Sequence, residues 1–286
     1  MAPLVKAFFD QTTRAVTYVV HGEGAAACAI IDPVLDFDPA SGRTATRAAD
    51  AVIGYVREAG LTPTHLLETH VHEDHLSAAP YLKSVLGGQI GTGAQVTRMQ
   101  EILGRMFDAG AEFTRDGAQF DLLFQDGDSV AVGALDVRVR FTPGHTAACV
   151  SYLVGDAAFV GDALAEPEAG TARCDLPGSE AEQLFDSAQT LLALPDATRV
   201  FVGHRDAPPA PDAAWHQTVA AHKARNIHVG TGRDKAAFLA DRAARDTGRA
   251  MPALLLPSLQ TNMRAGHMPP PEPTGQRFFK LPINRL

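Results

Sequence analysis

Cysteine is scarce in this sequence. Cys28, Cys149 and Cys174 are widely separated and include no C-x-x-C pair, so neither a disulfide framework nor a thiolate zinc site is suggested. Such spacing suits a reducing compartment. Long apolar runs are also missing, and none approaches the ~20 residues that cross a bilayer. The N-terminus lacks a basic segment followed by an apolar one, and Asp10 interrupts it early, so no secretory leader is visible. A soluble, cytoplasmic protein is the expectation. Positive charge is short as well: 25 Lys and Arg stand against 33 Asp and Glu, a net charge of -8, with no basic run. Nucleic acid is therefore a poor partner.

What is present is an ordinary globular composition, 45% hydrophobic and 20% charged over 286 residues. A single domain spanning 1–286 is expected, with a C-terminal extension from about 212 to 286. Runs at 15–20 and 27–31, split by Gly22-Glu23-Gly24, predict a hairpin. Helical spacing covers 44–58, and a short apolar strand at 65–69 leads into a histidine-rich segment. Further helices are expected at 76–86 and 94–106. The period then changes to strands at 129–132, 135–141, 149–154 and 157–160. It returns to helix at 180–193 and strand at 199–202, with later helices near 212–225 and 233–247. This alternation in two halves predicts an α/β fold, a four-layer αββα sandwich. The Pro-rich end at 269–273 cannot continue a helix and is expected to lie as an extended arm. Its apolar finish, 278–283, suggests docking, including on a second subunit of a homodimer.

The chemistry concentrates in Thr69-His70-Val71-His72-Glu73-Asp74-His75. Residues two apart in an extended segment point the same way, so His70 and His72 can converge on one ion. The following turn brings Asp74 and His75 to a neighbouring point. Neutral imidazole binds transition metals and aspartate offsets their charge. Three further candidates stand at strand ends: His145 in Pro143-Gly144-His145-Thr146, Asp162 after Gly161, and His204 after Gly203. Strand ends are where sandwich and α/β folds assemble sites from several loops.

That order, H-x-H-x-D-H, then P-G-H-T, then G-D, then a strand-end G-H, resembles the metallo-β-lactamase superfamily over residues from about 14 to 210. Matched residue by residue, the resemblance implies His70, His72 and His145 at a first site of dinuclear members. Asp74, His75 and His204 would form the second, with Asp162 bridging. Ile31-Asp32-Pro33-Val34-Leu35, Ala172-Arg173-Cys174-Asp175-Leu176 and Asn262-Met263-Arg264-Ala265-Gly266 are similar to segments of the glutathione-dependent persulfide dioxygenases. That resemblance implies one Fe(II) per chain on a facial triad of His70, His145 and Asp162. His72, Asp74, His75 and His204 would surround it. The substrates implied are a glutathione persulfide and O2, and Arg173 is implied to hold a glutathione carboxylate. The family carries His-Asp-Tyr after its last metal-site strand, whereas this chain reads His204-Arg205-Asp206 and has no Tyr beyond Tyr152. The alternative is a glyoxalase II-like hydrolase with two Zn(II), in which a bridging hydroxide attacks a thioester.

Overall fold

The computed structural model describes residues 2–210 and 213–284. In chain order the first half contains β1 (Leu4–Phe9), β2 (Val16–His21), β3 (Ala27–Ile31), β4 (Val34–Asp38), β5 (Arg43–Ala45) and α1 (Arg47–Glu58). It continues with β6 (Thr62–Leu67), β7 (Leu76–Ser77), α2 (Ala79–Leu86), β8 (Gln89–Gly93), α3 (Val96–Met106) and β9 (Leu122–Phe124). The second half holds β10 (Ser129–Val132), β11 (Leu135–Phe141), β12 (Val150–Val154), β13 (Ala157–Phe159), α4 (Ala181–Leu192) and β14 (Arg199–Phe201). After it come β15 (Gln217–Thr218), α5 (Val219–Arg225), α6 (Lys235–Asp246) and α7 (Leu255–Asn262). No described helix is long and apolar enough to cross a membrane.

Two six-stranded sheets run in the orders β1-β2-β3-β6-β8-β9 and β10-β11-β12-β13-β14-β15, and a small third sheet runs β5-β4-β7. The expected hairpin is β2 against β3, with Tyr18 opposite Ile31. Period-two alternation decides which way each strand faces. Val16, Tyr18 and Val20 on β2 point toward Val137, Val139, Tyr152 and Phe159 of the other sheet and form the inter-sheet core. Val19 of β2 points outward, with Ile30 and Leu66, to meet Val52, Leu82, Leu103 and Leu259 on the first helical layer. On the far side, Ala158 and Val200 pack against Leu184 and Leu191 of α4, Val219 of α5 and Phe238 of α6. Helix, sheet, sheet and helix give the αββα sandwich.

The differences from the sequence reading have local causes. The helix expected over 212–225 begins at Asp212, outside the described residues; within the described part, Gln217 and Thr218 pair with β14 instead, and α5 starts only at Val219. The Thr218 hydroxyl accepts from the Ala221 amide and so caps that later start. In the Pro-rich arm, Gln260 of α7 exchanges two hydrogen bonds with the Lys280 backbone, and Phe279 lies edge-on to Phe37. Phe278, Leu281 and Ile283 remain exposed.

Burial also sets a pH limit on this layer. His222 of α5 is fully buried, and burial first, then the Arg225 guanidinium, push its imidazole down to about 4. The unfolded chain then takes up a proton near pH 6.5 that the folded chain refuses. Stability is full above that value and falls as pH drops toward 4, by about 1.4 kcal/mol per pH unit from this residue. Urea unfolding at pH 7 and pH 5 should show a smaller difference in His222→Gln than in the parent.

Candidate metal centre

Four strand ends feed one place. β6 runs into the loop 68–75, β11 into the turn bearing His145, β13 into Asp162 and β14 into His204. The loops are stitched together, since the Val150 amide donates to the Thr69 carbonyl and the Gly203 amide to the Gly161 carbonyl. Gly161, with φ of 49°, lies against Thr69, and a Cβ there would meet the threonine hydroxyl at 2.5 Å. Only glycine lets these two loops touch.

His70 and His145 are turned toward a common point by their other nitrogens. The Thr69 hydroxyl sits 2.9 Å from His70 Nδ1, and His145 Nδ1 donates to the Arg173 carbonyl at 2.9 Å. Both Nε2 atoms are thereby free to face inward. Asp162 Oδ2 lies 3.6 Å from His145 Nε2, and Glu73 Oε2 lies 3.0 Å from the same nitrogen and 3.8 Å from His70 Nε2. Donor atoms of His70, Glu73, His145 and Asp162 all fall within 4.8 Å of one another. Burial opposes charge on Asp162, but His204, His145 and His70 outweigh it and hold the carboxyl down to about 2. Burial and then His72 push His70 down to about 4, which keeps it neutral as a ligand must be.

A second group forms beside the first from His72, Asp74 and His75. His204 stands between the two, its Nδ1 2.8 Å from Asp162 Oδ1 and its Nε2 2.6 Å from Asp74 Oδ2. Burial resists a proton there, but the two carboxylates raise His204 well above its ordinary value. His72 is held from behind: its Nε2 lies 3.0 Å from Asp32 and 3.2 Å from Glu68. Asp32 also accepts from the Thr69 amide and hydroxyl, and it adopts a left-handed backbone with φ of 51° to do so.

The donor chemistry fits a metal ion. His70 Nε2, His72 Nδ1, His75 Nε2 and Asp74 Oδ1 are buried with no hydrogen-bond partner among the described residues. Buried polar atoms left unpaired are costly, and bound metal would satisfy them, His70 in the first group and His72, Asp74 and His75 in the second.

Three residues escaped the sequence reading as site components: Glu73, Glu68 and, as a carboxylate behind His72, Asp32. Glu73 was legible only as a charged residue inside the H-x-H-x-D-H spacing. Asn262, singled out by its segment, proves to be a clamp on the metal loop. Its amide donates to the carbonyls of His72 at 2.9 Å and His75 at 2.7 Å, while its oxygen accepts from the Ser77 amide. Asn262→Ala should leave these three buried groups unpaired and cost about 3 kcal/mol, read as a lower denaturant midpoint.

The centre opens into a pocket of about 800 Å³. Glu73, Asp74, Asp162 and His204 are among its lining residues, as are Arg245 and Arg249. Arg173 belongs to the lining too, but its forked face is spent on Asp175 at 2.6 Å twice, and it donates to the Ala250 carbonyl. Arg249 has no ion pair among the described residues. Cys174 is partly buried, and burial pushes its thiol up to about 12, so it carries no thiolate at neutral pH.

The model of the metallo-beta-lactamase superfamily matches residues 13–204. A probable metallo-hydrolase of Burkholderia pseudomallei is 47% identical over 292 residues, covering 99% of each chain. The beta-lactamase hydrolase-like protein of Agrobacterium fabrum is 46% identical, and this chain spans 65% of its length. Glyoxylase B2 of Dictyostelium discoideum is 41% identical over 94% of this chain and 92% of its own. The mitochondrial human persulfide dioxygenase ETHE1 is 29% identical over 70% of this chain and 68% of its own. Among solved structures, ETHE1 from Myxococcus xanthus superposes with a TM-score of 0.73 at 28% identity, over 92% of this chain and all of that one. The layered fold, the strand-end histidines and the matched region agree: the chain belongs to the metallo-β-lactamase superfamily.

Proposed function

We propose that this enzyme is a persulfide dioxygenase that converts glutathione persulfide, O2 and water to glutathione, sulfite and two protons. One Fe(II) would be held by His70, His145 and Asp162, with His72, Asp74, His75 and His204 around it. The iron would supply redox chemistry that zinc lacks and open positions for two reactants.

The observation that carries this reading is His204. Both its ring nitrogens are engaged, one by Asp162 and the other by Asp74. In this reading His204 orients Asp162 from outside the first group. The remaining work falls to the pocket. Its carboxylates would repel a second anion, while Arg249, with no ion pair among the described residues, offers a donor to a glutathione carboxylate. Arg173 would enter this contact only by letting go of Asp175, so its part would be to hold the wall through Asp175 and Ala250 while its carbonyl fixes the His145 tautomer. Similarity to the human and Myxococcus proteins supports the reading.

A second reading has its own support. His72, Asp74 and His75 gather donor atoms of their own, and the Dictyostelium glyoxylase is a similar protein over nearly the whole chain. Under it the centre would hold two Zn(II) and cleave a glutathione thioester. Metal analysis of anaerobically purified protein, with O2 uptake on adding glutathione persulfide, separates the two. About one iron per chain and persulfide-dependent uptake support the dioxygenase. Two zincs with thioester hydrolysis and no uptake would sink it.

A further inference from the structure

The sequence pattern assigns metal-type roles to His70, His72, Asp74 and His75 and passes over Glu73, which lies between them. In the folded chain Glu73 is drawn into the buried cluster beside them. His72 turns its Nε2 onto Asp32 and Glu68, and its buried Nδ1 is left for the second group with Asp74 and His75. The Glu73 side chain is 7% exposed and reaches the point where His70 and His145 meet. Its Oε2 lies close to two nitrogens, and both are the inward-facing atoms of the proposed ligands.

The distances around this carboxylate lie near those of donors that share one ion. Donors bound to one ion at ~2.1 Å stand about 3.0 Å apart when octahedral neighbours and about 3.4 Å apart in a tetrahedron. The separations here are 3.0 Å for Glu73 to His145, 3.6 Å for Asp162 to His145 and 3.8 Å for Glu73 to His70. Charge points the same way. Two neutral imidazoles and one aspartate would leave a buried divalent ion with an uncompensated positive charge, whereas a second carboxylate neutralises it. Four side chains on an octahedral ion still leave two positions, enough for two reactants side by side.

We infer that Glu73 is a fourth side-chain ligand of the first metal position, making it a two-histidine, two-carboxylate set, with His72 belonging to the second group. The inference rests on the metal-binding part of the proposed function and holds for either metal and either reaction.

The test is metal affinity, measured on the full chain by chelator competition with Zn(II), and with Fe(II) under anaerobic conditions. Asp162→Ala serves as the control for the site itself. Glu73→Gln, which keeps the shape and a hydrogen-bond acceptor for His145, should weaken binding at least ~10-fold. Glu73→Ala should weaken it further and be rescued by millimolar formate. The d–d spectrum of the Co(II)-loaded protein should change in both variants. Circular dichroism checks folding, and if the alanine variant fails to fold, the glutamine variant decides. Affinity of Glu73→Gln equal to the parent overturns the inference, because a residue that only positions His145 is replaced by glutamine without loss. If Asp162→Ala also binds as tightly as the parent, the metal assignment itself fails.

Discussion

Asp162→Ala should strip the protein of its first metal, whereas Asp74→Ala should keep much of it. Asp162 places Oδ2 3.6 Å from His145 Nε2 and gives its other oxygen to His204. Removing it deletes a ligand and at the same time leaves His204 without one of the two anions that raise its pKa. Asp74 lies one step out: its contacts are to His204 at 2.6 Å and His75 at 3.3 Å, both outside the first group. Loss of an outer partner typically weakens binding ~10- to 100-fold, and loss of a ligand should exceed that. At micromolar protein, metal analysis should therefore find well under a tenth of an equivalent in Asp162→Ala, and a substantial fraction in Asp74→Ala. Equal depletion in both would show that the two groups act as one dinuclear unit, and the hydrolase reading would gain accordingly.

The metal-type residues were legible because each carries its signal in a few neighbouring positions. A histidine two residues from another, or directly after a Pro-Gly turn, needs no tertiary information to stand out. Glu73, Asp32 and Glu68 carry no such signal. A glutamate between two ligand positions reads as solvent-facing until the loop folds it inward. The demand for buried carboxylates behind His72 arises only when β3 and β6 pair side by side. The same distinction holds for the fold. β10 and β11 alternate cleanly and occupy the residues expected of them. β8, with the sequence Gln-Ile-Gly-Thr-Gly, has two glycines and no apolar run, and it is a strand because β6 and β9 pair with it on either side. α7 contains Pro257, which breaks helical expectation. Here it falls in the first turn, where no intrahelical donor is lost. The Asn262 segment shows the limit most clearly: resemblance marked it, but only packing of α7 against β7 reveals that it grips the metal loop from behind.

Gly144→Ala should cost more than any other single-methyl change near the centre. Gly144 has φ of 139°, outside the range alanine prefers, and an added Cβ would lie 2.2 Å from the Leu184 amide nitrogen and 2.3 Å from its Cα. Those atoms are backbone in the first turn of α4, so no side chain can swing aside. The turn is also fixed from several directions: the Glu180 amide donates to the Gly144 carbonyl, Ser187 to the Pro143 carbonyl and Ser179 to the His145 carbonyl. Relieving the clash means lifting α4 from the turn, breaking these bonds and carrying His145 away from His70 and Asp162. Strain of this kind with lost buried hydrogen bonds costs roughly 4 kcal/mol or more. The expected result is a large drop in the urea midpoint together with loss of metal. Gly203→Ala is the useful contrast, since its Cβ would meet a side-chain oxygen, Asp162 Oδ1, at 2.6 Å. That variant should keep most of its stability and lose metal affinity instead. A Gly144→Ala protein with parental stability and full metal content would mean that the α4 contact does not position His145.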